Sequence, residues 1–151
     1  MKKTILFAAM ICIPGVAHAA DPEAFTVVVE GSSTTMIGVE NGPWGVHVTN
    51  TGRTTWADGT VTTDTGECVG MGQPPNDSLF QAHQICNVEG KEGSFTVLMG
   101  CNPDPTNEGA MGCVGQMWGK TGIYKGRGGG ITMYAKDGKG HGAGQWGAAS
   151  E

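Results

Sequence analysis

Ala82-His83-Gln84-Ile85-Cys86-Asn87-Val88-Glu89-Gly90-Lys91-Glu92-Gly93-Ser94-Phe95-Thr96-Val97-Leu98-Met99-Gly100-Cys101 is the stretch on which the fold turns. From Ser78 to Glu89 the residues alternate. Phe80, Ala82, Gln84, Cys86 and Val88 share one face, and Gln81, His83, Ile85 and Asn87 the other. Gly90 to Gly93 reads as a turn, and Ser94 to Cys101, rich in β-branched and aromatic side chains, as a strand. Two such runs across a glycine-bounded turn make an antiparallel hairpin. A helical reading of Ser78 to Asn87 competes with the first strand.

Further strand signals flank this hairpin. Upstream they are Phe25 to Glu30, Ser33 to Val39, Trp44 to Thr49, Arg53 to Trp56 and Thr60 to Thr63. Their turns are expected at Asn41-Gly42-Pro43, Asn50-Thr51-Gly52 and Asp58-Gly59. Gly72 to Asp77, with two prolines, reads as a loop that no strand crosses. Downstream, Asn102 to Gly109 is a second proline loop. Cys113 to Trp118, Ile123-Tyr124, Gly130 to Ala135 and Gly144 to Trp146 complete the set. About eight to ten short strands with no helical period predict an all-β fold, a small antiparallel β-barrel of about eight strands rather than a sandwich.

The chain of 151 residues opens with Lys2-Lys3, an apolar run from Ile5 to Val16, and Ala17-His18-Ala19. This is the pattern of a secretory signal peptide over residues 1–19, too short for a membrane span. Cleavage after Ala19 is expected to leave residues 20–151 as one domain, with no integral membrane segment and a periplasmic or secreted address. Removing two of 9 basic residues leaves 7 against 14 acidic ones, a formal charge of −7. That balance argues against nucleic acid as a partner. Abundant glycine and threonine, with only Leu79 and Leu98 beyond the leader, exclude a helical bundle and a coiled coil. They also weigh against a cytosolic enzyme. Oligomeric state is not legible.

Cys12 falls in the leader, so the mature chain carries an even set: Cys68, Cys86, Cys101 and Cys113. In an exported protein such a set predicts two disulfides. Three pairings exist; Cys68–Cys86 and Cys101–Cys113 are favoured because each joins neighbouring segments with turn signals between them. No close C-x-x-C pair suggests zinc. Six methionines and three histidines raise copper as a reading, since thioethers suit Cu(I). The closest pair, Met111 and Met117, is six residues apart, so these methionines read as core filler and neither a metal nor a cofactor is expected.

Catalytic signals are weak. Gly119-Lys120-Thr121 lacks the first glycine of a phosphate-binding loop, which would fall at Val114. Gly138-x-Gly140-x-x-Ala143 matches a dinucleotide fingerprint by letter only and reads as a flexible turn. No serine stands in a nucleophile elbow. His47, His83 and His141 have no evident partner, and the carboxylates are scattered, so no catalytic residue is selected. The aromatic residues are spread along the strands. They serve as core, or they line a ligand cavity.

The run Gly119-Lys120-Thr121-Gly122-Ile123-Tyr124-Lys125-Gly126-Arg127-Gly128-Gly129-Gly130 is similar to the G-T-G-x-Y-x-G-x-x-G-x-G stretch of the allene oxide cyclase and dirigent superfamily, shared by small exported bacterial proteins. Cys68, Cys86 and the turn Glu89 to Gly93 resemble a cysteine pair that often precedes it there. The likeness runs from about Cys68 to Tyr134. It implies an eight-stranded antiparallel barrel of calycin-like shape, with Thr121, Gly122, Tyr124 and Gly126 in a strand pair and tight turn near one end. In that superfamily the cyclases isomerise an unstable fatty-acid epoxide, and dirigent proteins steer phenol coupling. No active-site residue of either carries over. Cys101 and Cys113, with the Pro103–Pro105 loop, depart from the usual frame.

The reading that follows is a binding module for a small apolar or aromatic ligand, held in a cavity ringed by some of Trp44, Trp56, Trp118 and Tyr124. One alternative is an isomerase or cyclase-like enzyme using His83 or a carboxylate as base. Another is a structural envelope protein with a filled barrel.

Overall fold

Eight antiparallel strands follow one another in chain order and close into a barrel. They are β1 (Glu23–Gly38), β2 (Trp44–Trp56), β3 (Val61–Gly72), β4 (Ala82–Gly90), β5 (Gly93–Pro103), β6 (Met111–Gly119), β7 (Arg127–Lys136) and β8 (Lys139–Ala149). A 3-10 turn, η1 (Gly122–Tyr124), lies between β6 and β7. The computed structural model describes residues 23–39, 43–72 and 79–149. The signal-peptide reading of residues 1–19, Asn41 and Gly42 of the first expected turn, and residues 73–77 of the first proline loop lie outside them.

Period-two burial explains why these residues are strands. Along β3, Thr63, Thr65, Glu67 and Val69 are exposed, while Asp64, Gly66, Cys68 and Gly70 are buried. Register then decides the disulfides. The β3–β4 ladder sets Cys68 opposite Cys86, and the β5–β6 ladder sets Cys101 opposite Cys113. Both bonds form, with Cα–Cα separations of 4.0 and 4.1 Å, as the favoured pairing expects. All four cysteines are buried. A one-residue slip would send one sulfur of a pair to the opposite face, so each bridge also pins its register.

Several expected boundaries are corrected. Phe25 to Glu30 and Ser33 to Gly38 belong to one strand, which ends one residue before the expected Val39 and is interrupted by an irregularity between Gly31 and Ser33. Asn50-Thr51-Gly52 is not a turn but the middle of β2. Gly52 stands opposite Asp64 and Asn50 opposite Gly66, where an added side-chain carbon would collide with Asn50 Oδ1. Asn and Gly serve there to share interior space. The Asp58-Gly59 hairpin turn is present, with Gly59 at φ 86° and Asp58 Oδ1 accepting from the Thr60 N–H at 2.8 Å. Of the stretch with the competing helical reading, Leu79 to Asn87 is not helical, and Ser78 lies outside the described residues. Phe80, placed on the inward row by alternation, instead lies against Gly100 on the outer face, with its ring 5.8 Å from that of His83.

The glycine-rich C-terminal segment is the strand that closes the barrel. β8 pairs with β7 and with β1 over Glu23 to Glu30. Its inward row is Gly140, Gly142, Gly144 and Trp146. A side chain at Gly144 would stand 2.5 Å from the Phe25 ring, and one at Gly142 would collide with Met133. Of the supposed dinucleotide fingerprint, only Gly138 occupies a turn. Ile123-Tyr124, expected as strand, forms η1 instead. There Lys120 and Thr121 donate backbone N–H groups to Ser94 O at 2.8 and 3.1 Å, and Ile123 N–H donates to Glu92 O at 2.9 Å. Gly122, at φ 61°, makes this close approach to the β4–β5 turn.

Candidate functional site

Among the described residues the barrel is closed at one end and open at the other. At the closed end Phe25, Trp56, Phe95, Tyr124 and Trp146 form a floor. Their ring centroids lie 5.6 Å apart for Phe25–Trp56, 4.8 Å for Phe95–Tyr124, 5.2 Å for Phe95–Trp146 and 5.1 Å for Tyr124–Trp146. Such tilted and edge-on contacts add to the burial of large apolar rings. η1 delivers Tyr124 to this floor, where burial, and then the nearby Asp64 and Glu92 charges, push its hydroxyl up to about 12. Arg127 lies over Trp146 at 5.9 Å from the ring, and its Nη1 donates to Glu23 Oε2 at 2.9 Å.

Above the floor is a cavity of about 460 Å³, within the range of small-molecule sites. Val27, Val29, Val48, Val97 and Ile131 line it, as do the thioethers of Met99, Met111, Met117 and Met133. These methionines are distant in sequence, yet β5, β6 and β7 bring them to one lumen. Flexible, polarisable thioethers adapt to the shape of an apolar or aromatic guest. The mouth is edged by Met36, Trp44 and the β7–β8 turn with Lys136, Asp137 and Lys139.

Of the four aromatic residues expected to ring a cavity, Trp44 lines it near the mouth. Trp56 and Tyr124 sit together in the floor, centroids 6.3 Å apart. Trp118 points outward from β6 and is 45% exposed. The histidines face out as well. His47 pairs with Glu67 at 3.0 Å on the surface, and His141 stands beside Tyr134 at 5.6 Å. His83 shares the outer face with Ile85 and does not line the cavity, so it is not the base of a reaction inside it. Among the described residues no three His, Cys, Asp or Glu side chains gather as a metal site. No described helix is long and apolar enough to cross a membrane.

No protein-family model, curated protein or solved structure matches this chain.

One lining residue that the sequence did not single out is Asp64. It is 5% exposed, and its Oδ1 has no hydrogen-bond partner among the described residues. Its cross-strand neighbours are Gly52 and Gly90, and a side chain at Gly90 would collide with that oxygen. Burial first, and then repulsion from Glu92, hold its carboxyl above the ordinary aspartate value of 3.8. A raised folded-state pKa means that the protonated form favours the fold. This contribution is complete below the unfolded-state value and is lost as pH rises through the folded-state value. Asp64→Asn should therefore raise the melting temperature at pH 7, and the gain should shrink as pH falls toward 4. Thermal melts of both proteins across that range check this.

Proposed function

We propose that this protein is an exported, disulfide-braced barrel that carries a small apolar or aromatic molecule in its lumen, in the periplasm or outside the cell. The observation that carries the reading is the cavity of about 460 Å³, walled by aliphatic and thioether side chains, closed below by aromatic rings and, among the described residues, open above. Two disulfides suit an oxidising compartment, as does the leader pattern of residues 1–19. Kinship with the allene oxide cyclase and dirigent barrels is part of the proposal. The closed eight-stranded antiparallel barrel is what that likeness implies, but such barrels host unrelated functions.

Titration with the neutral fluorescent probe N-phenyl-1-naphthylamine tests carriage. Saturable emission enhancement is expected, and Val48→Trp, which fills the lumen beside Cys68, should weaken it at least about tenfold (1.4 kcal/mol). No uptake, or unchanged uptake by the filled variant, would overturn the reading.

Asp64 favours a second reading, an isomerase or cyclase-like enzyme, because a buried carboxyl above its ordinary pKa suits proton transfer. A co-purifying ligand recovered altered from the wild type but intact from Asp64→Asn would select it.

A further inference from the structure

At the deep end of the cavity lies a buried carboxyl with one unpartnered oxygen. Asp64 is 5% exposed and lines the cavity, and no described group donates to its Oδ1. On both neighbouring strands the residue opposite it is glycine, and its Oδ1 occupies the space that a side chain at Gly90 would fill. Leaving a buried acceptor unmade costs about 1–3 kcal/mol, and more for a charged one. The missing partner is therefore a hydrogen-bond donor.

The surroundings select the kind of donor. Glu92 adds negative potential at Asp64, which disfavours an anionic head group. Arg127, the cation over Trp146 in the floor, is already paired with Glu23 at 2.9 Å and donates from Nε to Gly147 O at 3.0 Å. The lysines of the lining, Lys136 and Lys139, stand at the opposite end, in and beside the β7–β8 turn, and Lys136 Nζ donates to Asn107 Oδ1 at 2.6 Å. Phe25 and Phe95 line the cavity near the floor, and aromatic rings are the apolar surface that best tolerates a cation.

We propose that the cavity is a site for a small amine, its apolar or aromatic body held against the valine and methionine walls and its ammonium set on the Asp64 carboxylate. This rests on the carrier reading and names its ligand class. The ammonium–carboxylate contact is a charge-assisted hydrogen bond in a water-poor site, where such bonds are strongest.

Displacement of N-phenyl-1-naphthylamine by tryptamine and by its uncharged isostere 3-propylindole tests the proposal on the wild type and on Asp64→Asn. The wild type should bind tryptamine at least about tenfold more tightly than 3-propylindole. In Asp64→Asn that preference should vanish, while the affinity for 3-propylindole stays the same and shows that the barrel is intact. Should Asp64→Asn not fold, Asp64→Thr reads the same contrast. Equal affinities in the wild type, or a preference that survives in the variant, overturn the amine site and leave the carrier standing. Failure of all three probes to bind overturns both.

Discussion

Truncating Trp146 to alanine should cost about 3–5 kcal/mol of folding stability. The side chain is 1% exposed, and its ring lies about 5 Å from both Phe95 and Tyr124. It also sits on the strand that closes the barrel, directly opposite Glu23 of β1. Removing it opens the floor and loosens the closing seam together. For a domain stable by about 5–15 kcal/mol the loss is a large share. Equilibrium urea unfolding followed by circular dichroism measures it, with Trp146→Phe expected to recover part of the deficit. A loss below about 1 kcal/mol, the scale of an ordinary surface change, would mean that the floor is not packed in this way.

The disulfides come next in size. Replacing Cys68 and Cys86 with alanine, or Cys101 and Cys113 with alanine, should each remove about 3 kcal/mol by the chain-entropy estimate for loops of 18 and 12 residues. The two bridges lie on different hairpins, so the losses should nearly add in the quadruple variant, to about 6 kcal/mol. Melting temperatures of the three variants under non-reducing conditions check this. A quadruple variant as stable as the parent would show that strand pairing alone sets the register and that the bridges do not brace the barrel.

Much of this architecture is legible in the residues. The alternation around Cys86, the turn at Gly90 to Gly93 and the cysteine spacing lead to an all-β barrel with its two disulfides. The misread turns share one cause, which is that glycine and asparagine signal turns by local preference but also serve inside a barrel. In Asn50-Thr51-Gly52 and in Gly140 to Gly144 they face the lumen, where small side chains make room for Asp64, Phe25 and Met133. Only the cross-strand register reveals that use. Asp64 could have been found. With Cys68 facing inward, counting back by two along β3 puts Gly66 and then Asp64 on the same face. Its unpaired state could not, because that depends on Gly52 and Gly90 standing across from it. Trp118 shows the converse limit, since period two places an aromatic residue on a face without saying which face is inside.

The central claim is that the lumen, not the outer surface, takes the ligand. Methyl NMR of protein labelled with ¹³C at the methionine methyls tests it most directly. Met99, Met111, Met117 and Met133 line the cavity, whereas Met71 is 56% exposed on the outer face of β3. Adding N-phenyl-1-naphthylamine should shift the lining methyls, with intermolecular NOEs to its rings, and leave Met71 unmoved. Shifts confined to Met71, or none at any methyl at saturating probe, would contradict the account.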